Sequence, residues 1–249
     1  MNIIIPMTGI GNRFVQAGYT TLKPLIKVHG KTMIEWVIDL FPDETTFTFI
    51  CRKDHLQTTD LENVLTTAVP TATLLSIDGH KKGPVYAVKQ VYDHIPDNEA
   101  VIVNYCDYFM NWDYLDFKAH IEQHNPAGSI VCYQGFHPHL LHPENVYAGC
   151  LADDTGYLTQ IKEKHSFTTD KTKSLHSAGL YYFQSGQLMK QSFDWLMQED
   201  LHINGEYYVS MVYDYLLEKK LPVSVYNNVP HFCQWGTPQD LEEYCYWNV

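Results

Sequence analysis

The sequence predicts an α/β fold: one doubly wound, mainly parallel mixed sheet with antiparallel additions in its C-terminal half. Residues 2–6 (NIIIP) and 100–105 (AVIVNY) are short apolar runs of the kind that form strands buried on both faces. Through about residue 135 such runs alternate with stretches of helical periodicity, the order expected of right-handed βαβ units. With 45% hydrophobic, 14% aromatic and only 18% charged residues in 249, the composition builds a core rather than a disordered chain. A chain of this length needs no disulfide or structural zinc to fold.

The elements follow in order. A glycine-containing loop comes after the first strand, and KTMIEWVIDLF then places Met33, Ile34, Val37, Ile38 and Phe41 at helical spacing. Residues 46–51 (TFTFIC) read as a strand, 54–66 as helical, and 71–77 (TATLLSI) as the next strand. Pro84 opens PVYAVKQVYDHI, with Val85, Val88, Val91, Tyr92 and Ile95 on one face, and proline suits a first helical position. Asp113 in NWDYLDF reads as the N-cap of a helix at 115–123. The second half carries strands near 129–134, 146–151, 157–163, 178–183 and 222–227, and helices near 186–198, 206–219 and 238–246. No repeat, low-complexity tract or Gly/Ser linker suggests a boundary, so 1–249 is expected to be a single domain.

The net charge is −12, from 17 Lys and Arg against 29 Asp and Glu. That balance speaks against a nucleic-acid partner, which needs a basic stripe. It does not speak against a small phosphorylated ligand held by a few cations in one cleft. The 6 cysteines are scattered without a C-x-x-C pair, the usage of reduced thiols in a cytoplasmic protein. The opening MNIIIPMTG lacks the basic start of a signal peptide, and no apolar run approaches the ~18 residues of a membrane span. The surplus of 18 tyrosines and 5 tryptophans reads as packing or as a homo-oligomer interface.

In open α/β sheets ligands sit at the carboxyl ends of the strands, here Gly9–Arg13, Gly79–Gly83 and Asp107. The first of these is Thr8-Gly9-Ile10-Gly11-Asn12-Arg13-Phe14, with Lys23-Pro24-Leu25 beyond it. Two glycines two apart let backbone amides approach a phosphate, and Arg13 and Lys23 add charge where a triphosphate would sit. A plain strand-to-helix turn explains a lone G-x-G equally well. Phe14 stands where the third glycine of a dinucleotide fingerprint would fall, and no Gly-Lys-Ser/Thr follows, so neither a Rossmann dehydrogenase nor a Walker ATPase fits. HPHLLH (137–142) holds three histidines, but Pro138, Pro143 and the lack of acidic or Cys partners make it a surface loop rather than a zinc site.

The combination is more specific than its parts. The stretch IIIPMTGIGNRFVQAGYTTLKPLIKVHGKTMIEWVI resembles the opening signature of the sugar-nucleotide pyrophosphorylases, or nucleotidyltransferases. The resemblance continues in order, more weakly after residue 110, through KKGPVYAVKQV, VIVNYCDYF, IKEKH, SAGLYYF, NGEYYVSMVYDYLLEKK and WGTPQDLEEY. It implies a GT-A-like nucleotidyltransferase fold with a nucleotide-binding half at about 1–135 and an acceptor-binding half at about 136–249. It also implies the chemistry: an acceptor phosphate attacks the α-phosphorus of an NTP, and pyrophosphate leaves. Arg13 and Lys23 would then be the catalytic cations, on the leaving phosphates and the α-phosphate. Met7, Thr8, Gly9, Gly11, Asn12, Gly83 and Asp107 would surround the nucleotide, with Asp107 the ligand of Mg²⁺. Glu163, Lys164, Gly179 and Glu206 would face the acceptor, by default a sugar 1-phosphate destined for capsule or lipopolysaccharide.

Plainer roles exist for each: a loop charge for Arg13, an ion pair for Lys23, a turn or cap for Asp107. Lys164 could lie on a solvated strand edge, Glu206 at a helix N-terminus, and Gly179 where backbones approach closely. The chain departs from the family where a second metal-binding Asp is usual, because Gln234 falls at or beside that position. A neutral amide is a poor Mg²⁺ ligand, and Asp240 reads better as a first-turn helix contact. The PMTGIGNRF opening and the CQWGTP ending resemble capsule-cluster members whose acceptors need not be sugars, so CTP with phosphocholine or a phosphorylated amino acid is the alternative. A GT-A glycosyltransferase would share the fold, but without a triphosphate leaving group it has no use for the Arg13 and Lys23 signature. A nucleotide-binding homologue without activity is a further reading, resting on Gln234.

Overall fold

The computed structural model describes residues 1–247. Four strands, Asn2–Met7, Phe47–Arg52, Thr73–Ile77 and Val101–Asn104, lie parallel, with Asn2–Met7 between Phe47–Arg52 and Val101–Asn104. Ile3, Ile5 and Met7 enter one core and Ile4 the other, as a strand buried on both faces requires. Helices Met33–Ile38 and Leu61–Ala68 cover the first face, and Gly83–Lys89 and Gly186–Gln198 the second, which is the doubly wound arrangement expected.

The C-terminal half adds the antiparallel strands. Leu175–Phe183 pairs antiparallel with Val101–Asn104 on one side and with Gly128–Tyr133 on the other. Gly128–Tyr133 in turn pairs parallel with Val223–Tyr226. The start of Leu175–Phe183 also meets Gly149–Ala152, which runs antiparallel to Leu158–Lys162. One nine-stranded sheet therefore continues through both halves. Among the described residues, no helix is long and apolar enough to cross a membrane.

Several boundaries differ from the sequence expectation. The helical stretch at 54–66 is two helices, Lys53–Thr58 and Leu61–Ala68, broken where Thr59 turns extended. The expected helix at 206–219 starts only with a 3₁₀ turn at Val209–Val212 and runs as α-helix over Tyr213–Glu218. Asp113 does cap Tyr114–His124, accepting from the amides of Leu115 and Asp116. The HPHLLH segment is not simply a surface loop: His137 is buried and accepts from the Phe232 amide at 3.2 Å.

A ribbon absent from the sequence reading stands off the main sheet, where Tyr108–Asn111 pairs antiparallel with His231–Gln234. A third apolar cluster seats it. Phe14, Ile26, Val28 and Met33 from the N-terminal region close around Trp235 and Leu241. That packing draws the Gly9–Arg13 loop and the Trp235-Gly236-Thr237 turn to the carboxyl end of Val101–Asn104.

Candidate active site

A cleft of about 710 Å³ opens at the carboxyl ends of the parallel strands. It is lined by Gly9, Gly11, Asn12, Arg13, Lys23, Asp107, Glu163, Lys164, Gly179 and Glu206, among others. Met7, Thr8 and Gly83 line an adjoining recess of about 250 Å³ that shares Gly9, Lys23 and Asp107. The nucleotide, acceptor and catalytic residues that the resemblance implies thus all line this cleft or its adjoining recess, though they are drawn from positions 7 to 206.

The two glycines of the first loop differ. Gly11 has φ +64° and precedes helix Asn12–Gln16, and a Cβ there would press on Lys23 at 3.3 Å, so turn geometry accounts for it. Gly9 has an ordinary φ, and a Cβ there would meet nothing within 4 Å. Protein packing does not call for glycine at position 9, whereas a ligand approaching the backbone would.

Lys23 lies in the 3₁₀ turn Lys23–Leu25, and its Nζ donates to Asp107 Oδ2 at 2.6 Å and to the Gly236 carbonyl at 3.1 Å. The ammonium also lies 5.1 Å from the centre of the Phe14 ring. Arg13 is exposed and has no ion-pair partner among the described residues. Burial pushes up Tyr147 and Tyr208, which line the same cleft, and Asp240 outside it, and the Arg13 charge opposes that larger push by favouring their ionised forms. Asp240 itself accepts from the Thr237 hydroxyl at 2.6 Å, at the start of helix Pro238–Trp247, as its first-turn position suggested.

Asp107 is the carboxylate suited to a divalent cation. Gln234 pairs with Tyr108 across the ribbon and packs its amide on Gly236, while the Trp235 amide donates to the Asp107 carbonyl at 3.1 Å. Among the described residues, no group of three His, Cys, Asp or Glu is arranged to hold a metal. One carboxylate with a neutral amide nearby is a donor set that fits Mg²⁺ carried by phosphate oxygens, not a protein-built cage.

The remaining lining of the cleft includes acidic and aromatic side chains and Lys164. Glu163 accepts from the Ser210 hydroxyl, and burial pushes its carboxyl above the usual range. Lys164 follows strand Leu158–Lys162 in a left-handed turn, φ +53°, and donates to the Tyr208 hydroxyl at 3.1 Å. Glu206 is not at a helix start; it bonds to Tyr208. Gly179 has φ +89° and its carbonyl accepts from the Tyr105 amide, whose ring lies 3.0 Å from where a Cβ would be.

Sequence reasoning missed Arg52, Tyr147, Tyr181, Tyr208 and Ser210, whereas Lys81 lies in the Gly79–Gly83 segment that it did place at a strand end. Arg52 ends a parallel strand, so the carboxyl-end rule would have found it; its guanidinium is gripped by Asp54 at 2.9 and 2.6 Å and lies over Gly79. The tyrosines carried no local signal in a tyrosine-rich chain.

Residues 3–171 match the family described as the MobA-like NTP transferase domain. Among proteins of curated function, none is significantly similar in sequence. Similar solved structures include a nucleoside-diphosphate-sugar pyrophosphorylase from Vibrio cholerae RC9, 21% identical over 98% of this chain and 99% of that one, with a TM-score of 0.75. A Bacillus anthracis protein assigned as a glucose-1-phosphate thymidylyltransferase is 17% identical over 99% and 94%, also with a TM-score of 0.75. The inositol-1-phosphate CTP transferase of T. maritima is 12% identical over 99% and 93%, with the same TM-score. At such identities the likeness establishes the fold.

Proposed function

The chain belongs to the family of MobA-like NTP transferase domains and is a nucleotidyltransferase, and we propose that it moves a nucleoside monophosphate from an NTP onto a phosphorylated small molecule. The observation that carries this reading is the meeting of Gly9, Arg13, Lys23 and Asp107 in one cleft with Glu163, Lys164 and Glu206. Gly9, Arg13 and Lys23 suit the triphosphate, and Glu163, Lys164 and Glu206 suit the body of an acceptor.

The reaction forms a bond between an acceptor phosphate oxygen and the α-phosphorus and breaks the bond from that phosphorus to the β-phosphate bridge. The protein's part is alignment and charge screening. The open backbone at Gly9 admits the phosphates. Lys23, already at the corner, exchanges part of its contact with Asp107 for the α-phosphate, where negative charge gathers on bond formation. Arg13, exposed and without an ion partner among the described residues, meets the leaving pyrophosphate. Lys164 holds the acceptor phosphate in line. Asp107 would hold Mg²⁺, which would supply screening of the phosphate charges.

The acceptor is by default a sugar 1-phosphate, whose hydroxyls would satisfy Glu163 and Glu206, in the supply of a capsule or lipopolysaccharide precursor. One observation favours a second acceptor. Tyr105, Tyr147, Tyr181 and Tyr208 line the same cleft as Glu163 and Glu206, a lining suited to an ammonium group as in phosphocholine or a phosphorylated amino acid, with CTP as donor. The test is pyrophosphate release with Mg²⁺, each common NTP and a panel of glucose 1-phosphate, inositol 1-phosphate, phosphocholine and O-phosphoserine. Release with one pair names the substrates; an NTP that binds without release on any acceptor overturns the reading.

A further inference from the structure

Residues 206–210 touch both halves of the cleft. The main chain of Tyr207 faces the nucleotide side: its amide donates to the Lys82 carbonyl at 3.0 Å, and its carbonyl accepts from the Val85 amide at 3.2 Å. The two bonds straddle Gly83, where a Cβ would lie 2.8 Å from both the nitrogen and the oxygen of Tyr207. The flanking side chains serve the acceptor side. The Tyr208 hydroxyl accepts from Lys164 Nζ at 3.1 Å and donates to Glu206 Oε2. The Lys164 ammonium also lies 4.9 Å from the centre of the Tyr208 ring.

One hydroxyl thus stands between a cation and a carboxylate, and a tyrosine can accept from the first, donate to the second and offer a ring face besides. Among the described residues neither Lys164 nor Glu206 has another side-chain hydrogen-bond partner. Lys164 also sits on a left-handed backbone, φ +53°, and its long side chain has several rotamers among which a grip at its tip selects. We propose that Tyr208 is a positioning residue of the acceptor site: its hydroxyl sets the separation of Lys164 from Glu206, while Tyr207 registers the pair against the nucleotide loop at Gly83. The proposal rests on the reading of Lys164 and Glu206 as acceptor-facing.

Tyr208→Phe keeps the ring and removes both bonds. With the acceptor that the wild type uses from the panel above, KM for the acceptor rises about tenfold and kcat falls with the alignment that Lys164 provides, while KM for the nucleotide stays within about twofold. A crystal structure of the variant has the 206–210 backbone in place and the Lys164 and Glu206 side chains displaced. Tyr208→Leu, which also loses the ring face, raises KM further. An unchanged acceptor KM, or equal rises in both KM values, overturns the proposal, as do unmoved Lys164 and Glu206 side chains. A wild type that turns over no acceptor overturns the parent reading instead, and the crystal structure still decides whether Tyr208 holds the pair.

Discussion

Replacing Lys23 by alanine separates stability from chemistry. In the ligand-free protein the lysine has two polar contacts, Asp107 at 2.6 Å and the Gly236 carbonyl at 3.1 Å. The Lys23 side chain is 13% exposed but that of Asp107 is 32% exposed, so solvent screens the pair. A partly exposed ion pair of this kind contributes no more than about 1 kcal/mol. For a chain of this size that corresponds to a fall in unfolding temperature of roughly 2–4 °C. In the proposed transition state the same ammonium faces phosphate charge that is absent from the resting protein. Loss of such a contact costs about 3–4 kcal/mol, roughly 100- to 1000-fold in turnover. Pyrophosphate release at saturating NTP and acceptor gives kcat, nucleotide titration gives affinity, and thermal unfolding gives stability. The expected outcome is a large fall in kcat with small changes in the other two. A kcat within about twofold of wild type removes Lys23 from the mechanism, and an affinity that falls as far as kcat makes it a ground-state binding group.

Chelation with EDTA should stop pyrophosphate release and leave the ligand-free unfolding temperature unchanged, because Lys23 already balances Asp107; a lowered unfolding temperature would reveal a structural metal. Gly83→Ala forces a side chain onto φ +81° and against the Tyr207 backbone, so it should destabilise by about 1–3 kcal/mol and weaken NTP binding; calorimetry giving neither change would count against that tight contact. His139 is pushed down to about 3 by burial, so the folded protein refuses a proton that the unfolded chain accepts near its ordinary value of 6.5. Its contribution is whole above pH 6.5 and is lost as the pH falls from there towards 3, by up to about 1.4 kcal/mol per pH unit. His139→Gln should flatten the fall in the urea midpoint between pH 6.5 and 4.5, and parallel curves for variant and wild type would refute that assignment.

The strands of the parallel half were legible because β-branched runs such as NIIIP are a local signal and burial on both faces leaves no other use for them. Helix Gly186–Gln198 was legible to the residue, with Ser185 capping it through the Leu188 amide. The ribbon was not, since four-residue strands more than a hundred positions apart have no local period, and their pairing depends on Trp235 finding Phe14 and Met33. The same holds within the site. Gly9 and Gly11 look alike as letters, and only the surrounding space separates the one that the turn requires from the one that it does not. Lys164 and Glu206 were identifiable through resemblance, but the hydroxyl between them, 44 positions from the lysine, was not.

The ribbon also has a bearing on how the protein is made. Lys23 bonds to partners 84 and 213 positions further along the chain, so the phosphate corner is assembled from an early, a middle and a late segment. A nascent chain can complete the four parallel strands from residues 2–104 long before residue 236 leaves the ribosome, yet it lacks the turn that seats the lysine. Closure over so long a loop is slow compared with local folding. On the proposed role of Lys23, competence for phosphoryl chemistry comes last in synthesis, after the sheet that supports it, and translation products that stop short of residue 236 should be inert towards triphosphates.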